Sequence, residues 1–280
     1  MVLPVLVRRH RFDALDDVRF PEGKAANVLR GGFGAALRAV ASPAIYEQIF
    51  EPKSNGSGPS GLADPPRPFL FRASQLDGQR VAKHDDFHFD VHVFGPGDTA
   101  DIVTVALEHL FERGAGVGRG RAKLTGTTDE IIQLTLAASE PAHHVKVRFA
   151  TPTELKHQGR LVSDPEFSVL IRRVRDRVAT LMSLYGSGEP PLDYQLFTKT
   201  AAEVRTVRTD VEVRDVARTS GRTGQTHSIG GMIGEAEYHG PLDAFMPFLR
   251  AAYYTGVGRH TVWGNGCIET SVLAAASEPA

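Results

Sequence analysis

The stretch GVGRHTVWGNGCIE, residues 256–269, follows a helix-like pattern and precedes a short apolar run, and its first four letters repeat the GVGR of residues 116–119. The offset, 256 − 116 = 140 residues, is half of the 280-residue chain. Self-similarity at a fixed spacing marks a repeated supersecondary unit, so the sequence reads as two copies of one arrangement.

Upstream of the second copy, Phe245, Phe248, Leu249, Ala252 and Tyr253 share one face of a helix expected over residues 242–254. Earlier, HHVKVRFA (143–150) predicts a strand, and Phe167, Leu170, Ile171, Val174, Val178, Leu181 and Tyr185 recur at helical spacing. Val207, Val211 and Val213 then alternate with Arg208, Asp210, Glu212 and Arg214, the pattern of a half-buried strand. SGRTGQT supplies turn chemistry before a second strand from Met232 to Tyr238. A strand from Cys267 completes the order βαββαβ. The first half follows the same order: VLPVLVRRH as a strand, a helix over Asn27–Val40, strands near 68–73 and 87–94, a helix near 99–112 and a strand from Arg121. The predicted fold class is therefore α+β, with tandem ferredoxin-like (βαββαβ), RRM-like domains over residues 1–140 and 141–280. The Pro-, Gly- and Ser-rich segment EPKSNGSGPSGLADPPRP predicts a mobile loop near 51–68, and residues 256–266 form the glycine-rich loop of the second domain.

Composition narrows the function classes. Hydrophobic residues make up 41% of the chain and charged residues 23%, and no apolar run approaches the roughly 20 residues of a membrane-spanning helix. The charges of MVLPVLVRRH follow a very short apolar run, the reverse of a secretory signal. The single Cys267 excludes an intrachain disulfide and a thiolate zinc cluster, so a cytoplasmic location is expected. A net charge of −1 excludes the strongly basic class of nucleic-acid binder and makes any polyanion site local.

Glycine motifs for nucleotides are absent in the form their chemistry needs. The GxGxxG of Gly56, Gly58 and Gly61 has no strand before it, and no GxxxxGK[ST] sequence occurs. The glycines of residues 256–266 follow a helix, where Gly256, Gly258, Gly264 and Gly266 suit either tight packing or close approach of a ligand backbone. Arg259, His260 and Trp263 add a phosphate ligand, a titratable group and a stacking surface. LRGGFGAALR (29–38) carries an apolar stripe of Leu29, Phe33, Ala36 and Leu37. Its three glycines each cost a helix about 1 kcal/mol against alanine, a cost offset by close packing, by approach of an RNA backbone between Arg30 and Arg38, or by both. His88, Asp90 and His92 of HDDFHFDVH share one face of a strand, a pattern open to a metal but more often a solvated polar face; no metal is expected. Of the arginines at 205, 208, 214, 218 and 222, the first three have acidic neighbours in Asp210, Glu212 and Asp215. Arg218 and Arg222, near the hairpin tip, are the expected RNA contacts.

With these elements placed, GGMIGEAEYHGPLDAFMPFLRAAYYTGVGRHTVWGNGCIE (230–269) resembles the C-terminal signature of the CRISPR precursor-RNA-processing endoribonucleases of the RAMP superfamily. Weaker matches are LRGGFGAALR, IFEP (49–52), and FGPGD followed by a helix and GAGVGRGR. The resemblance implies binding of a CRISPR repeat RNA and one cut per repeat, without cofactor, with the crRNA and other CRISPR effector subunits as partners. A non-cleaving crRNA-binding subunit of an effector complex is the alternative. The chain departs from the pattern in having no histidine between Arg11 and Lys83, and no cysteines after the first helix.

Metal-independent cleavage uses the RNA 2′-hydroxyl as nucleophile, so the protein must align it, move two protons and stabilise the phosphorane. Arg30 and Arg38 are expected to take the phosphorane charge and Tyr46 and His260 the protons, with His10 and His227 in reserve.

Overall fold

A computed structural model describes residues 1–53, 65–95, 97–137, 141–215, 217–219 and 226–273. The segment expected to be a mobile loop falls mostly outside the described residues, as does Arg222. The chain divides into two compact units: residues 1–134 with 180–188 and 262–264, and residues 135–179 with 189–261 and 265–280.

Unit 1 contains β1 (Val2–Ala14), β2 (Val18–Arg19), α1 (Ala25–Val40), α2 (Pro43–Phe50), β3 (Phe69–Arg72), β4 (Arg80–Val81), β5 (Asp86–Phe94), α3 (Asp98–Glu112) and β6 (Ala122–Thr135). Its main sheet has the order β3-β5-β1-β6. β5 pairs antiparallel with both β1 and β3. Strand alternation builds the core: Phe87, Phe89, Val91 and Val93 are buried on one face of β5 and meet Phe12, Phe71 and Phe111. The stripe Leu29, Phe33, Ala36 and Leu37 of α1 is fully or nearly fully buried. Lys24 provides no side-chain cap for α1; instead the Ala25 N–H donates to Asp77 Oδ1 at 2.7 Å, satisfying one of the open donors of the first turn. Burial raises the Asp77 carboxyl above the usual aspartate range, partly countered by this bond.

Unit 2 contains β7 (His144–Thr153), β8 (Lys156–His157), β9 (Arg160–Leu161), α4 (Phe167–Tyr185), α5 (Tyr194–Ala201), β10 (Arg205–Arg214), β11 (Ala217–Thr219), β12 (Thr226–Ser228), β13 (Gly231–His239), α6 (Met246–Thr255) and β14 (Ile268–Val272). The last residues of α4 count with unit 1. Its sheet order, β10-β13-β7-β14, is the order of the first sheet with each strand replaced by its counterpart. Both sheets thus read second, third, first, fourth, the ferredoxin-like order, and the expected α+β fold with antiparallel sheets is present in both halves.

The half-buried reading of residues 207–213 needs correction. β10 is an edge strand whose residues are exposed on both faces except the partly covered Val211, with Val207 53% and Val213 62% exposed. An edge position alone does not expose a strand, since the edge strand β3 keeps Phe69, Leu70 and Phe71 buried; Val207 and Val213 lack a covering layer among the described residues. Tyr253, expected on the apolar face of α6, is likewise 45% exposed, whereas Phe245, Phe248, Leu249 and Ala252 are buried.

Candidate functional site

Three of the four expected catalytic residues belong to unit 1, and two of them touch. α2 starts where sequence chemistry allows: the Ser42 hydroxyl accepts from the Ile45 N–H at 3.4 Å, and Pro43, with its fixed φ, sits in the first turn. The short helix returns the chain over α1, so that Arg38 Nη2 donates to the Tyr46 hydroxyl at 2.9 Å. The same guanidinium lies 4.4 Å from the Tyr46 ring centroid. The Tyr46 hydroxyl donates to Glu51 Oε1 at 3.2 Å, and Arg38 lies 3.8 Å from that oxygen. Tyr46 is 7% exposed, whereas the Arg38 side chain is 67% exposed. The trio therefore presents a fixed phenol, an acceptor and a cation with free N–H groups at the surface. Sequence reading missed Glu51, although it stands in the quoted IFEP.

Arg30 lies on the same flank of α1 with its guanidinium 4.7 Å from the Phe50 ring centroid and 5.4 Å from the Trp263 ring. Arg67 lies 5.2 Å from the same Phe50 ring and donates to the Phe50 carbonyl at 2.6 Å. Two cations thus share one aromatic, a cation–π arrangement that holds their positive charge against an apolar surface. The glycines of α1 divide. A Cβ at Gly34 would run into the Phe50 ring and one at Gly32 into Leu110, so close packing accounts for both. At Gly31 a Cβ would meet nothing within 4 Å.

The glycine-rich turn belongs mostly to unit 2. Gly256 ends α6 at φ +70° and its N–H donates to the Ala252 carbonyl at 2.8 Å. The Val257 N–H donates to the Gly266 carbonyl, the Gly266 N–H to Pro152 and the Arg259 N–H to Glu154. A Cβ at Gly258 would strike the Glu154 carbonyl, at Gly266 the Val257 carbonyl, and at Gly264 the Ala26 side chain. Each of these glycines therefore has a packing reason, and several of the turn's backbone donors serve the chain itself. The side chains carry the charge. Arg259 Nη1 donates to Glu154 Oε1 at 2.8 Å, and His260 Nε2 lies 3.4 Å from Glu154 Oε2. His260 has φ +63°, an uncommon value for a non-glycine, which turns its ring toward the 9% exposed carboxylate side chain. Glu154 gave no sequence signal, because its partner Arg259 lies 105 residues away.

The other candidates separate. Arg218 lies on β11, where it pairs with His227 of β12. Arg214 binds Glu212 at 2.6 Å, and Arg208 lies 3.7 Å from Glu237 rather than from a carboxylate of its own strand. Asp90 is held by Arg9 at 2.8 Å and His92 is buried. Among the described residues, no group of three or more His, Cys, Asp or Glu is placed to hold a metal ion. His10 is a core residue: it is fully buried, stacks on Phe89 and meets Thr104 Oγ1 at 3.0 Å through Nε2. Since Thr104 donates its own proton to the Ala100 carbonyl, Nε2 must be the protonated nitrogen. Burial, with help from the Arg8 charge, lowers the His10 imidazole to about 4.

A family model described as CRISPR-associated endoribonuclease Cas6 matches residues 147–268, and a second, described as an N-terminal domain, matches residues 3–141. A solved Cas6 product complex is 15% identical with a TM-score of 0.64, covering 94% of this chain and 99% of that chain. Thermus thermophilus Cas6 is 15% identical with a TM-score of 0.60, covering 97% and 99%. A Cas6 substrate-mimic complex is 19% identical with a TM-score of 0.55, covering 97% and 100%. A partial Cas6-RT-Cas1–Cas2 complex is 14% identical with a TM-score of 0.61, covering 97% of this chain and 46% of that chain. No curated protein matches the sequence. The signature read at residues 230–269 lies almost wholly inside the matched region. No described helix is long and apolar enough to cross a membrane.

Proposed function

We propose, from the premise that the chain is a Cas6-type member of the RAMP superfamily, that it binds CRISPR repeat RNA and cuts precursor crRNA within each repeat without a metal ion. The observation that carries the chemistry is the Arg38, Tyr46 and Glu51 cluster. It supplies an acid, a base and a cation in a chain with no histidine from residue 11 to 83.

The Glu51 carboxylate takes the proton from the 2′-hydroxyl as that oxygen attacks the adjacent phosphorus. The Tyr46 phenol gives its proton to the departing 5′-oxygen, and Arg38 stabilises both the resulting phenolate and the phosphorane. The products are a 2′,3′-cyclic phosphate and a 5′-hydroxyl. Glu51 then returns its proton to Tyr46 along the hydrogen bond that joins them, and the site is reset. Arg30 assists in holding the phosphate. Arg259, His260, Trp263 and the glycine turn bind RNA, with Arg218 and Arg222 on the repeat stem-loop. The chain stays on its product; two similar structures are described as product complexes, which supports this reading. Similar structures described as Cas6-RT-Cas1–Cas2 complexes support other CRISPR subunits as partners.

The test is incubation of the pure protein with repeat RNA in EDTA, with both ends of the products mapped, beside a substrate carrying a 2′-deoxy nucleotide at the cut site. Cleavage in EDTA with a cyclic phosphate, and none of the deoxy substrate, is expected. Cleavage of the deoxy substrate overturns the mechanism, and intact RNA that remains bound points to the non-cleaving crRNA-binding subunit.

A further inference from the structure

Unit 1 holds a second feature that the cleavage cluster does not use. On the flank of α1 away from α2, a cavity of about 670 Å³ opens between α1, the end of α3 and the first GVGR turn. Its α1 wall is Gly31, Gly32, Ala35 and Ala36, and its far wall carries His109, Arg113 and Arg119. None of the lining residues is a carboxylate. Arg113 and Arg119 are exposed, and among the described residues neither side chain has an ion-pair or hydrogen-bond partner. His109 Nε2 is buried with no hydrogen-bond partner, while Nδ1 lies 3.8 Å from Glu112 at the rim.

Three observations make this a site rather than a gap. Gly31 is disfavoured in a helix interior and, unlike Gly32 and Gly34, has no neighbour that excludes a side chain. Its absent side chain leaves room in the cavity. Arg119 is held at φ +55°, a conformation non-glycine residues rarely adopt, by a turn closed through the Ala115 and Gly120 bridge. The charge is of one sign: Arg113 and Arg119 are both exposed on the far wall, and no carboxylate lines the cavity to oppose them.

We propose that this cavity binds the phosphodiester backbone of single-stranded RNA, with Arg113 and Arg119 gripping one phosphate and the bare α1 surface admitting the ribose. The site extends the RNA path beyond the residues that cut, and it rests on the reading of the chain as an RNA-binding protein.

The experiment measures affinity for a generic single-stranded oligoribonucleotide by fluorescence anisotropy over a salt series, and cleavage of repeat RNA separately. Arg113→Ala with Arg119→Ala is expected to weaken binding about tenfold or more and to make the slope of log affinity against log salt shallower by about 1. Gly31→Glu, whose Cβ meets nothing within 4 Å, is expected to weaken binding while leaving the urea midpoint near that of the wild type. Wild-type binding that survives both variants with the same slope overturns the site. Oligonucleotide binding that the variants weaken, in a protein that cuts no repeat RNA, sinks the proposed cleavage and leaves the site standing. No RNA binding by the wild type overturns both.

Discussion

Tyr46 is buried to 7% exposure with its hydroxyl shared between a cation and a carboxylate, so its role is separable from its packing. Tyr46→Phe keeps the ring under Arg38 and removes the hydroxyl, both its proton and the oxygen that accepts from Arg38. We expect cleavage at saturating RNA to fall about 10²- to 10⁴-fold, the range of a lost general acid, with RNA affinity within a few-fold of wild type. A variant that cuts at the wild-type rate would remove Tyr46 from the chemistry. Glu154 invites the opposite experiment. Its carboxylate lies against Arg259 and His260 in the free protein. Glu154→Gln is expected to tighten RNA binding and steepen its salt dependence by about 1 in slope, read from the same anisotropy series; unchanged affinity and slope would show that these side chains do not meet RNA.

At the scale of elements, α1 tests why a helix tolerates three glycines. Gly34→Ala forces a methyl group onto the Phe50 ring and is expected to cost about 1–3 kcal/mol in urea denaturation. Gly31→Ala fills empty space and should stabilise by up to about 1 kcal/mol. Equal effects at the two positions would contradict the packing described. The same helix shows what sequence makes legible. Its stripe of Leu29, Phe33 and Leu37 faces the sheet, and such a stripe is readable because burial imposes the helical period. The half-buried reading of β10 fails because alternation of valine with charge shows a period but not whether a layer covers one face, and here Val207 and Val213 are exposed. The short α2 went unread despite its Ser42 and Pro43 start, since eight residues hold too few turns to display a period. Arg38 and Tyr46 are nameable from the chemistry that RNA cleavage needs; the pairings made by Glu51, which stands in IFEP, and by Glu154 are not, because pairing is a property of the folded chain.

Across the whole molecule, one titration couples fold to acidity. His10 is buried neutral at about 4, whereas an unfolded histidine titrates near 6.5. Below pH 6.5 the unfolded chain binds a proton that the folded chain refuses, so stability is complete above that value and declines as pH falls toward about 4. The slope from this group approaches 1.4 kcal/mol per pH unit in mid-window. Urea midpoints from pH 4 to 7 should show it, and His10→Gln should flatten the profile; an unaltered profile would assign the acid sensitivity elsewhere.

The repeated turn offers a last lesson on what duplication preserves. Gly116 and Gly118 sit at φ +74° and +85°, and Gly256 and Gly258 at +70° and +76°, so the two copies share one backbone design. Their electrostatic dress differs: Arg259 carries a resident counter-ion in Glu154, and no partner masks Arg119 among the described residues. Two turns spelled with the same four letters therefore present unequal charge to a polyanion. The second meets a phosphate against the field of its own carboxylate, so of the two grips it is expected to hold a polyanion less tightly.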